Sequence, residues 1–187
     1  MAYGWVKHRF NEIRQIAMED FGDLASKGLD DELSGAVAAA TAMIAFADAD
    51  SITAEKERIV DVFEREAELE DLDFEALFGV LDRLSDAYIR SGNEGVKQAL
   101  GYLGEYRDDP ATGEVVLRTA LAAGSADGEI GVNEEDALEA IADAMGLDLD
   151  DVMTHAVAEY EGEDRITRYL DNGEDDFDDD AGDDDDD

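Results

Sequence analysis

The sequence contains no cysteine and a single proline, Pro110. Without thiols there is no disulfide framework, no thiolate zinc site and no cysteine nucleophile. The two histidines, His8 and His155, fall outside any H-x-x-x-H or H-E-x-x-H spacing, so zinc catalysis lacks its ligand pattern. His155 reads as a helix-surface residue. No G-x-S-x-G elbow occurs. Ser91 to Lys97 is glycine-rich but lacks the spacing of a phosphate-binding loop and reads as an inter-helix turn. Runs of alternating β-branched residues and Asn-Gly turns are missing, which removes the usual signals for strands. The longest stretch free of charge, Leu33–Ala47, has 15 residues and is too short to cross a bilayer. The first residues carry no apolar run followed by a small-residue cleavage site. A soluble, cytoplasmic protein is expected.

Positive charge is the other scarcity. Fourteen Lys+Arg stand against 52 Asp+Glu, a formal net charge of -38 on 187 residues. Such a surface repels nucleic-acid phosphate and anionic lipid, and attracts cations and basic proteins. Residues 171–187 hold 12 of the acids and no Lys or Arg, yet the remainder is still strongly acidic. That composition suits a high-salt cytoplasm or a GC-rich genome equally. The tail ends in five consecutive aspartates, Asp183 to Asp187, and is expected to be disordered. Hydrophobic residues nevertheless make up 44% of the chain, enough for a packed core.

Apolar residues recur at helical spacing throughout. Residues 5–26 place Val6, Phe10, Ile13, Ala17, Phe21 and Leu24 on one stripe. Further helices are expected over 33–47 (Val37, Thr41, Ile44), 53–68 (Ile59, Val62, Phe63) and 73–90 (Phe74, Leu77, Phe78, Leu81, Leu84, Tyr88). Four more follow over 93–106 (Val96, Leu100, Leu103), 112–125 (Val115, Val116, Thr119, Ala123), 134–145 (Leu138, Ile141, Met145) and 149–160 (Val152, Ala156). Pro110 marks a break, Gly146 a left-handed stop and Asp148 an N-cap. The expected fold is all-α: a bundle of seven or eight helices. Lys7, Arg9 and Arg14, with Trp5, Phe10 and Ile13, form the one basic amphipathic stretch. It reads as a docking helix for the bundle in preference to a membrane contact.

Two segments resemble each other, residues 42–55 and 121–134. Each runs from an apolar helix through Ala-Asp to an acid two residues on, then Glu at the seventh position and a second helix. The register pairs Asp48 with Asp127, Asp50 with Glu129, and Glu55 with Glu134. The fold is therefore read as a pseudo-repeat of two helix–acidic loop–helix units. Hard cations take several oxygen ligands from such loops. Asp127-Gly128-Glu129-Ile130 with Glu134 shares the spacing of the second half of an EF-hand loop, but the first half is missing, so a true EF-hand is rejected. The candidate metal ligands are Asp48, Asp50, Glu55, Asp127, Glu129 and Glu134, pooled from both loops. Helix capping by Asp50, Asn133, Glu55, Glu134 and Glu135 is the competing account of the same residues.

These loops also carry a family likeness. Ala36 to Asp48 with Ala54-Glu55-Lys56, Val115 to Ile130, and Ile141 to Leu147 resemble the tellurite-resistance TerB family, over residues 30–152. The resemblance implies an all-helical fold, a cytoplasmic location and a divalent cation, such as calcium, held weakly by the loop acids Asp48, Glu55, Asp127, Glu129 and Glu134. It implies a role in stress response without enzymatic activity. It also implies protein partners, membrane-associated and calcium-binding Ter proteins among them, without nucleic acid or membrane insertion. The first loop departs from the family in reading Asp-Ala-Asp-Ser-Ile, and Ile52 and Gly131 stand where the family often has a further acid. The organisation expected is an N-terminal amphipathic helix (1–29), the TerB-like domain (30–152), a helical extension (153–170) and the Asp-rich tail (171–187). Two other classes remain in view: an acidic DNA mimic occupying a basic nucleic-acid-binding protein, and a metal-dependent enzyme.

Overall fold

In a computed structural model, the structure describes residues 10–65, 69, 73–124 and 131–155. All regular elements among them are helical. In chain order they are α1 (Phe10–Ser26), α2 (Asp31–Ala45), α3 (Ile52–Arg65), α4 (Glu75–Arg90), α5 (Gly92–Leu103), a 3-10 turn (Gly104–Tyr106), α6 (Pro110–Gly124) and α7 (Val132–Met145). Residues 149–155 form a further helical segment, α8. The all-α expectation holds. Among the described residues, no helix is long and apolar enough to cross a membrane.

Helix α2 is the axis of the bundle. It packs against α6, α4, α5, α7 and α3. The sequence pattern suggests a single stripe through Val37, Thr41 and Ile44. Instead every residue from Leu33 to Phe46 is buried. The charge-free composition explains this, since a helix apolar all round belongs in a core. Its many alanines let neighbouring helices approach closely. At Gly124 of α6, an added Cβ would lie 2.9 Å from Ile44 Cβ and 3.3 Å from the Thr41 carbonyl oxygen. Around this axis α3 and α4 present amphipathic faces, through Ile59 and Phe63 and through Leu77, Val80, Leu81 and Leu84. Helix α1 lies on α6. There the Arg118 guanidinium, nearly buried, meets Asp20 at 3.2 Å.

Several helix starts precede the apolar pattern because caps set them. The Asp30 carboxylate accepts from the Leu33 N–H at 2.8 Å, so α2 begins at Asp31 rather than residue 33. Pro110 is the first residue of α6, where its missing N–H costs nothing. Asp109 before it accepts from Thr112 Oγ1 at 2.7 Å. Asp148 accepts from the Asp151 N–H at 3.1 Å, as the capping arrangement requires. Gly146 takes φ 70° at the end of α7, the expected left-handed stop. The Arg107 guanidinium donates to the Asp143 carbonyl there at 3.1 Å. The glycine-rich Ser91 to Lys97 segment is not a turn throughout: only Ser91 lies between helices, and Gly92 onward belongs to α5.

Tyr88, near the end of α4, meets Phe46 edge-on with ring centroids 5.2 Å apart. Its ring also lies over Gly95, where a Cβ would come within 2.3 Å of it. Its hydroxyl is sealed from solvent and has no hydrogen-bond partner among the described residues. Burial pushes the phenol up to about 12. Tyr106 also rises to about 12, through burial and then the nearby carboxylates Asp30, Glu32, Glu105 and Asp109. Between pH 10 and 12 the unfolded phenols lose protons that the folded ones keep, so stability falls as pH rises through that window. Tyr88→Phe is expected to keep stability at pH 7, or raise it by about 1 kcal/mol, because it removes an unsatisfied buried hydroxyl. It should also lessen the loss between pH 7 and pH 11 by about 1 kcal/mol. Urea unfolding at pH 7 and pH 11 checks both; a clear loss at pH 7 would mean that the hydroxyl has a stabilising partner.

Candidate functional site

The first acidic loop begins as α2 ends. Phe46 stays buried and its N–H reaches back to the Ala42 carbonyl at 3.0 Å. The chain then surfaces, with Asp48 and Asp50 exposed. Ser51 caps α3 by accepting from the Ala54 N–H at 3.3 Å. The capping role expected of Asp50 therefore belongs to Ser51, whose shorter side chain stands at the position before the first helical residue. Glu55, one turn into α3, receives the Arg58 guanidinium at 2.8 Å.

The second loop leads into α7. Its described end is Gly131, the N-cap, with φ -81° and ψ 171°. The Glu134 carboxylate folds back to accept from the Gly131 N–H at 2.6 Å. This is one half of a capping box. The sequence expectation that Asn133 caps α7 is corrected, because Asn133 already lies inside the helix. Asp127 and Glu129 lie outside the described residues.

The two loops meet at Gly131. A Cβ placed there would lie 3.6 Å from Glu134 Oε2 and 3.7 Å from Asp48 Oδ2. Two atoms so close to one point are no more than about 7 Å apart. Asp48, at the end of a core helix, and Glu134, 86 positions later in the numbering, thus converge from different halves of the chain. The packing of α2 against α6 and α7 places them. Glu55 and Glu134 occupy matched register positions but behave differently: one pairs with Arg58, the other with a backbone N–H. Asp50 remains in water.

Two adjacent carboxylates without a cation between them repel each other, and a hard cation relieves that repulsion. Glu134 Oε2 accepts from the Gly131 N–H, and a carboxylate oxygen has a second lone pair with which it can also ligate a cation. Among the described residues, no group of three or more acidic or histidine side chains forms a ready-made metal cluster. His155 is distant from this chemistry in role: exposed on α8, its Nδ1 sits 2.9 Å from Glu114 of α6. Sequence reasoning missed Gly131, which has no side chain to signal its part. The sequence marks the place only as a missing acid.

No curated protein matches the chain, and no solved structure does. The family model for tellurite resistance protein TerB matches residues 34–155. That span begins in α2, includes both acidic loops and ends with the described part of α8. It covers well over half of the sequence: the chain belongs to the TerB family.

Proposed function

We propose that the protein is a non-enzymatic, cytoplasmic stress-response protein of the tellurite-resistance type. It acts through protein contacts, and a divalent cation such as calcium binds weakly between its two acidic loops. The observation that carries the cation is the approach of Asp48 and Glu134 to one point beside Gly131. Asp127 and Glu129 precede Gly131 in the same loop by sequence and are proposed to supply further oxygens. Asp50 and Glu55 have smaller parts: the first in solvent, the second held by Arg58. Family membership supports the stress-response assignment. The acidic composition supports basic or membrane-associated protein partners over nucleic acid.

Calcium titrated calorimetrically into the full chain at about 150 mM salt, where diffuse attraction is screened, should give a saturable heat. The comparison is an Asp48→Asn, Glu134→Gln double variant. Gln at 134 can still accept the Gly131 N–H, so the cap survives. The Asp-rich tail is identical in both proteins and cancels. Loss of the saturable heat in the variant is expected; equal heats would remove the loops from the proposal.

A further inference from the structure

A groove opens beside the acidic loops, where the ends of α2 and α4 face the starts of α5 and α7. It encloses about 380 Å³ and is lined mainly by Met43, Phe46, Tyr88, Val96, Ala137 and Ala140. This is the lower part of the size range of ligand and peptide sites. The exposed large hydrophobic residues of the described chain are Ile89, Val96 and Val132. Of these, Val96 lines the groove. Its exposed side chain continues the apolar floor of Met43, Phe46 and Ala140 out to the surface, and a contiguous apolar patch of this kind marks an interaction surface.

The charge around the groove is one-sided. Asp136 lines it, and so does Ala47, next to Asp48 at the end that adjoins Gly131 and Glu134. The neighbouring cation Arg90 is already held by Glu94 at 3.0 Å. Lys97 follows Val96 on α5, about 100° further round that helix.

We infer that this groove receives a basic amphipathic helix of a partner protein, with apolar residues at i, i+3, i+4 and i+7 seated on Val96, Tyr88 and Met43, and Lys or Arg flanking Asp136 and Asp48. The apolar floor supplies burial and the acidic rim supplies register and selection, the division of labour of helix-in-groove recognition. This inference rests on the proposed action through protein contacts and names the partner's chemistry. It does not depend on cation binding.

The test uses two labelled synthetic peptides of Leu and Lys with identical composition. One has its leucines on a helical stripe; in the other they are scrambled. Fluorescence anisotropy with the full chain, at about 150 mM salt to screen diffuse attraction, is expected to show saturable binding of the striped peptide. The scrambled one should bind at least about tenfold more weakly, a difference of about 1.4 kcal/mol. Two variants address the groove. Val96→Lys places in the groove a positive charge, like that of the peptide. Gly92→Leu adds an apolar side chain at a lining residue without changing charge, and an added Cβ there meets nothing within 4 Å. Each should weaken the striped peptide about tenfold or more, with unchanged circular dichroism and unchanged calcium titration. Equal binding of both peptides would assign the attraction to net charge and overturn the proposal. So would full affinity in Gly92→Leu. A concentration-dependent dimer that Val96→Lys dissociates would place a second copy in the groove, and would overturn it as well.

Discussion

Phe63→Ala should lower stability by about 3–5 kcal/mol, the usual cost of truncating a fully buried phenylalanine. Phe63 is 1% exposed. It meets Phe21 of α1 edge-on at 6.0 Å and Phe74, at the start of α4, at 5.5 Å. Phe74 in turn meets Phe78 at 5.8 Å. One ring therefore links three helices. Helix α3 fully buries only Ile59 and Phe63, with Ile52, Val60 and Val62 partly covered, so truncation removes the largest of its anchors. The remaining residues of α3 are largely charged, and a helix of 14 residues is marginal without tertiary packing. Denaturant unfolding reads the global loss. Hydrogen exchange should show the larger change in α3 and in the loop before it, while α2 and α6 stay protected. A loss below about 1 kcal/mol would mean that the aromatic cluster is not closely packed.

How far the sequence reveals this architecture depends on the kind of signal. The amphipathic stripe of α4 was legible because a one-sided helix repeats its apolar residues every three or four positions. The all-round burial of α2 was legible only as missing charge, since periodicity disappears when every face is covered. Helix starts came out about two residues late at α2, α6 and α7. There the first turn is set by Asp30, Asp109 and Gly131, which lie outside the apolar pattern. The register also aligned Asp48 with Asp127 and Glu55 with Glu134. It could not say that Asp48 and Glu134 approach the same glycine, because that proximity arises from helices packing across 86 positions. Val96 was read as part of an inward stripe on α5, yet it is 37% exposed. Periodicity tells which face of a helix is apolar, not whether a neighbour covers its edge. Asp127, Glu129, the basic N-terminal stretch before Phe10 and the Asp-rich tail lie outside the described residues, and their expected roles stand on sequence.

The close approach of α2 and α6 at Gly124 predicts the second large effect and connects the core to the loops. Gly124→Ala is expected to cost about 1–3 kcal/mol through overpacking. The new methyl would meet Ile44 Cβ and Cγ2 at 2.9 Å. Ile44 is fully buried and β-branched, so its χ1 has little freedom to yield. The Thr41 carbonyl at 3.3 Å blocks the other direction. Helices α2 and α6 must therefore separate. Gly101→Ala supplies the contrast: it lies in α5 with nothing within 4 Å of an added Cβ, so helix propensity alone should make it stabilising by up to about 1 kcal/mol. Thermal or urea unfolding of the two variants should thus move in opposite directions; a shared direction would show that propensity, not contact, governs both. The separation has a second consequence. Helix α2 ends three residues before Asp48, and α6 ends at the entrance to the loop that finishes at Gly131. A change in their spacing shifts one carboxylate relative to the other, and ligands must be held to within about 0.5 Å to share an ion well. Gly124→Ala should therefore weaken the calcium binding proposed for the loops, while Gly101→Ala leaves it unchanged. A cation affinity unaffected by Gly124→Ala would mean that the loops, rather than the helix crossing beneath them, determine how Asp48 and Glu134 meet.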